Sequence, residues 1–138
     1  MFGKEYVYII QMGDTNYYKI GITTDIKYRL KALQTGNPLP LTTKALFTTT
    51  KKWVRQFEQI FHTELSYCKC TGEWFNFNHN EIQILTNLAK IYNNMVLSDF
   101  DMIYIKKELE ILRKKIENNN NNKNNKKFLK KVLTKFLK

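Results

Sequence analysis

The sequence predicts an α/β (α+β) fold: a small, mainly antiparallel sheet of about three strands flanked by helices, followed by a C-terminal helix and a basic tail. Three observations carry this. Runs rich in β-branched and aromatic residues occupy residues 5–11, 17–23 and 43–50. Apolar residues between and after these runs recur at helical spacing. Beyond Ser98 the chain turns to a charged heptad pattern and then to Asn and Lys. With 138 residues, 43% hydrophobic and 14% aromatic, there is enough apolar surface to close a small core, which excludes disorder throughout.

Taken in order, Glu5 to Gln11 is the first strand. Gly13-Asp14 marks a turn, and Tyr17 to Thr23 is the return strand of a hairpin. Asp25 caps a helix whose Ile26, Leu30 and Leu33 share a face, with Gly36 as the stop. Pro38 and Pro40 impose a loop. Thr43 to Thr50 is the third strand, and Trp53, Phe57, Ile60, Phe61 and Leu65 define an amphipathic helix over 51–66. Residues 68–72 are a loop and Trp74 to Phe77 a short strand. Asn78 or Asn80 caps a helix that runs to about Asn94.

The expected organisation is a domain at 1–97, an amphipathic helix at 98–117, an Asn/Lys linker at 118–127 and a basic amphipathic helix at 128–138. Met102, Ile105, Leu109, Leu112 and Ile116 form a seam of roughly two heptads, which either packs on the domain or pairs with another chain. In the last segment Phe128, Leu129, Val132, Leu133, Phe136 and Leu137 lie on one face of a lysine-rich helix.

The net charge is +11, but it is unevenly spread. Residues 1–97 carry 11 basic and 7 acidic side chains, residues 98–117 carry 5 of each, and residues 118–138 carry 7 Lys and no acid. Such a balance favours polyanions, either nucleic acid or an anionic membrane surface. Two Cys exclude a disulfide framework. No run approaches the roughly 20 apolar residues of a spanning helix, and no signal-peptide hydrophobic stretch opens the chain. The expected location is intracellular, not secreted.

The residues that could carry chemistry are spread along these elements. Tyr6 and Tyr8 line one face of the first strand, a pattern that half-burial alone also explains. Arg29 and Glu58 each stand at the margin of an apolar helix face, where a snorkelling Arg and a surface ion-pair Glu are the plainer readings. His62 lies one turn after Glu58, where it either orients that carboxylate or moves a proton, or is simply a satisfied structural histidine. His62, Cys68, Cys70 and His79 are four conceivable zinc ligands. Cys-x-Cys is tighter than the usual spacing, however, and two reduced thiols are the simpler account.

Together, Tyr6-Val7-Tyr8, Lys19-Ile20-Gly21, Arg29, Glu58 and Gly72-Glu73-Trp74-Phe75 resemble the GIY-YIG nuclease superfamily over residues 5 to about 94. The YKIGIT stretch, Gln34-Thr35-Gly36-Asn37-Pro38 and the GEWF motif look like the branch found in phages and large DNA viruses, often described as DNA-binding. The resemblance implies a metal-dependent endonuclease that hydrolyses DNA phosphodiesters with one Mg²⁺ or Mn²⁺; for a viral protein the location becomes the host cell. It assigns Tyr8 to the attacking water, Arg29 to the phosphate and Glu58 to the metal, with His62 beside Glu58. A tyrosine near pKa ~10 needs a cation to act as base, and Lys19 on the paired strand is the expected one. Arg29, Lys19, Lys27 and Lys31 are the expected nucleic-acid contacts. Asn76 and Asn78 are candidates for a phosphate-side asparagine, and Glu73 is read as a local cap or ion-pair partner in preference to a second acid near the metal.

Three positions depart from the pattern: Tyr6 stands for the name-giving glycine, Lys19 for a tyrosine, and Leu33 for a histidine that several of these nucleases carry. The alternative function is a nucleic-acid-binding module that cuts nothing. DNA is the expected partner. Self-association through 98–117 is a second, and a membrane under the basic tail ranks behind phosphate contact.

Overall fold

The computed structural model describes residues 3–93 and 95–136, without the side chains of 119–126, 128 and 136. Strands β1 (Lys4–Met12) and β2 (Tyr17–Thr23) form the expected hairpin, pairing from Tyr6↔Thr23 to Gln11↔Tyr18. The turn works because Gly13 takes a positive φ of 55°, a region side chains disfavour. Helix α1 (Ile26–Gln34) follows, with the Asp25 carboxylate accepting from Tyr28 N at 3.1 Å. Strand β3 (Leu41–Thr50) starts two residues earlier than the apolar run implies. Pro40 O accepts from Gly13 N at 2.7 Å, and the Gln34 side chain bonds Leu39 O and Leu41 N, so the proline loop delivers the chain already in register.

Helix α2 (Val54–Glu64), a 3₁₀ turn (Ser66–Cys68), strand β4 (Trp74–Asn76), helix α3 (His79–Ile91) and helix α4 (Asp99–Phe136) complete the chain. The sheet is antiparallel throughout and has four strands in the order β3-β1-β2-β4, one more than expected. The fourth member is the short β4, the strand expected at 74–77 but not counted in the sheet, which pairs only Tyr17–Lys19. Asn78, not Asn80, caps α3: its side chain accepts from Glu81 N while Glu81 Oε1 accepts from Asn78 N.

Both sheet faces are covered, unequally. On one, Val7, Ile9, Ile20, Phe47 and Phe75 pack with Phe57 and Phe61 of α2 and Leu85 of α3. On the other, Tyr8, Ile10 and Leu41 form a smaller cluster with Ile26, Leu30 and Leu33 of α1 and with Trp74.

The heptad seam belongs to the first of these cores. Met102, Ile105, Leu109 and Leu112 are all buried in it, each burial contributing about 1.5–3 kcal/mol. Arg113 Nε, also on α4, donates to the buried Glu64 of α2 at 3.3 Å. Leu97 N donates to Thr48 O and Thr49 Oγ1 to Leu97 O, tying the segment before α4 to β3. The seam is therefore satisfied within the chain.

Helix α4 runs unbroken through 118–127, where composition predicts a linker. Asn costs at most about 0.7 kcal/mol per residue relative to Ala, and the docked seam has already met the cost of nucleation. In the tail Leu129 and Leu133 are exposed; Phe128, Phe136 and Leu137 of its apolar face lie outside the described side chains. Among the described residues no helix is long and apolar enough to cross a membrane.

Candidate active site

Strand β4 pairs with β2 as far as Lys19, with one further backbone bond at Ile20. At this edge, the notch, residues from both sheet faces come within electrostatic reach of one another. Tyr8 stands opposite Gly21 in the β1–β2 ladder. A Cβ at Gly21 would overlap the Tyr8 hydroxyl and lie 2.6 Å from Cζ, so the missing side chain is what lets the phenol lie across β2. Tyr8 is buried, only 2% exposed.

Ile20, at the notch, uses both its backbone groups. Its N–H donates to Glu73 O at 3.1 Å, and its carbonyl lies 3.0 Å from His62 Nε2, which donates to it. The His62 ring also stands edge-on to Phe75, centroids 5.0 Å apart. These contacts fix α2 against the notch and bring Glu58, one turn before His62, to the same edge. Arg29 arrives from the other face on the exposed side of α1. Lys19 Nζ pairs with Glu73 Oε2 at 3.1 Å and lies 5.7 Å from the Trp74 ring centre.

The charges of this group act on one another. Glu58, half-buried, is raised above the usual carboxylate range, first by loss of solvent and then by Glu73; His62, Arg55 and Lys19 pull it back. Tyr8 is pushed up to about 12, chiefly by burial, then by Glu73; Arg29 lowers it, and Glu58 raises it further. Lys19 is not among the charges that lower the phenol. The cation that lowers Tyr8 is Arg29; Lys19, opposite Ile10 in the ladder, is paired with Glu73.

Tyr8, Lys19, Arg29, Glu58 and His62 thus converge, and Glu73 joins them. In the sequence Glu73 reads as a merely local residue, since only the β2–β4 pairing brings it beside Lys19. Lys27 and Lys31 do not join: two positions from Arg29, they turn to another face of α1. There they line a groove of about 540 Å³ with Gln34 and Leu41. Asn78 is committed to its capping box, and Asn76 ends β4, exposed.

For a divalent ion the donors present are one or two carboxylates, Glu58 and Glu73. That suits Mg²⁺, which takes few protein ligands and completes its shell with water and phosphate oxygens. Among the described residues no three or more His, Cys, Asp or Glu side chains gather as a metal cage. Cys68 is buried elsewhere, with its Sγ 3.5 Å from Glu81 Oε1 and its thiol pushed up to about 12 by burial and by Glu81; Cys70 is exposed.

A family model described as the T5orf172 domain matches residues 5–90, from β1 to the last turn of α3, a span that holds every residue of the notch. No curated protein and no solved structure matches the chain. The family match corrects the motif-based expectation. The short motifs around Tyr8, Lys19 and Glu73 resemble GIY-YIG nucleases, but no GIY-YIG match is found and the matching family is a distinct one.

Proposed function

The chain belongs to the T5orf172 domain family, whose domains are nuclease-like and DNA-binding, and we propose that the notch hydrolyses a DNA phosphodiester. One observation carries this reading: Tyr8 from β1, Arg29 from α1 and Glu58 from α2 meet at one sheet edge, with Arg29 and Glu58 both within electrostatic reach of Tyr8. Hydrolysis requires a phosphate contact, stabilisation of developing charge and a group to take the water's proton.

Arg29, exposed and cationic, binds the phosphate with its planar fork of donors. Glu58, with Glu73 beside it, would hold Mg²⁺ or Mn²⁺, which would supply Lewis acidity at the phosphate. His62 keeps α2 in place through its bond to Ile20 O, and Lys19 holds Glu73 at the notch. In the free chain Tyr8 is a neutral phenol that donates a hydrogen bond to the attacking water. With Arg29 beside it to stabilise the phenolate, Tyr8 gives its proton to solvent and then takes one from the attacking water, while the leaving oxygen takes a proton from solvent.

A second reading, a DNA-binding module that cuts nothing, draws support from the same site. A phenol at about 12 and a Lys19–Glu73 pair already closed describe a site at rest. A labelled duplex in Mg²⁺ separates the two. Hydrolysis predicts cutting that Glu58→Ala abolishes while binding persists. Binding that is indifferent to Glu58, with no cutting by the native chain, would carry the second reading instead.

A further inference from the structure

A second feature lies on the same sheet face as Tyr8. At the end of the sheet a groove of about 1110 Å³ opens between the start of β1 and the ends of β2 and β3. Tyr6 lines it, with Thr24 and Thr50; Lys4, Lys51 and Lys52 form its rim, against a single acid, Glu5. Lys52 is held in place over the Trp53 ring, 4.9 Å from its centre. The lining is mostly apolar.

A paired duplex keeps its base faces stacked inside and offers such a groove only phosphates, sugars and base edges. The groove suits unpaired nucleotides, each of which presents an apolar π-face and a phosphate. Tyr6 is half-buried and shares its face with Tyr8 two residues on, about 7 Å away, or two steps of a stacked strand. We infer that this groove is a subsite for single-stranded nucleic acid, in which a base stacks on Tyr6 and Lys4, Lys51 and Lys52 take the phosphates of a strand leaving the notch. The inference rests on the reading of the notch as a DNA site and gives that site a substrate class: DNA with an unpaired end or flap.

The test measures binding of the full chain to a short blunt duplex and to the same duplex with an unpaired tail at either end. The tailed duplex is expected to bind about fivefold or more tightly, the effect of stacking one base. Tyr6→Leu should abolish that gain. Lys51→Ala with Lys52→Ala, both exposed and outside the core, should shrink it and flatten its salt dependence while blunt-end binding stays as it was; thermal melting confirms that both variants fold. Equal affinity for blunt and tailed duplexes, or a gain that survives both variants, would overturn the inference and leave the notch reading standing. No binding to either duplex at low salt would overturn both.

Discussion

Gly21 and Tyr8 face each other across the β1–β2 ladder, and the side chain that Gly21 lacks is the space the Tyr8 phenol fills. The backbone of Gly21 needs no special conformation; the close approach alone demands glycine. Gly21→Ala should therefore act as overpacking, costing about 1–3 kcal/mol of stability. In a Tyr8→Ala background the same change should cost much less. Denaturant unfolding of the two single variants and the double gives the coupling directly.

The docking of α4 makes a separate prediction. Leu109 is fully buried among residues of the sheet and α2. Leu109→Ala should lower stability by about 2–5 kcal/mol, measured by urea unfolding. A seam that merely waited for a partner chain would leave the fold's stability unmoved by this substitution.

How much of the fold and the notch is legible in the sequence follows from how local each determinant is. The hairpin, α1 and α3 rest on signals a few residues apart: Gly13 at the turn, Asp25 three residues before Tyr28, Asn78 three before Glu81. The start of β3 escapes a sequence reading because it depends on a bond from Gly13 to Pro40, across a whole helix. The Glu64–Arg113 pair joins residues 49 positions apart and leaves no sequence signal. Tyr8, Arg29 and Glu58 stand out as candidates one by one, but their meeting depends on how α1 and α2 pack on opposite faces of the sheet. The Lys19–Glu73 pair likewise depends on the β2–β4 pairing, so Glu73 looks local in the sequence. The motifs that carry the GIY-YIG resemblance are three or four residues long, too short to separate neighbouring nuclease-like families.

The pH dependence of stability tests the electrostatics of the notch. Glu58 is held above its ordinary 4.5 by burial first and Glu73 second. The folded chain thus binds this proton more tightly than the unfolded one. The group's contribution is full below 4.5 and is lost as pH rises through the folded value. Glu58→Gln has no charge to lose. Its melting temperature should therefore gain on that of the native chain between about pH 4 and pH 7. An unchanged difference across that range would show that Glu58 is not in the environment described.

The basic tail should contribute affinity without contributing fold. Residues 118–138 carry 7 Lys and no acid and follow the last buried seam residue, Leu112. A chain ending at residue 117 should melt as the native chain does. It should bind DNA more weakly at low salt, and its salt slope should be shallower by about 0.9 for each phosphate the tail would have neutralised. Gel shifts across a salt series measure both.

The most direct test of the notch as a hydrolytic site is supercoiled plasmid incubated with the native chain in Mg²⁺, Mn²⁺ and EDTA, beside Glu58→Ala and Tyr8→Phe. A hydrolytic notch predicts nicking in either metal, none in EDTA, and a drop of about 100-fold or more in each variant, as expected when a group acting in the transition state is removed. Nicking that persists in Glu58→Ala, or no nicking by the native chain under conditions where it binds the plasmid, would contradict it.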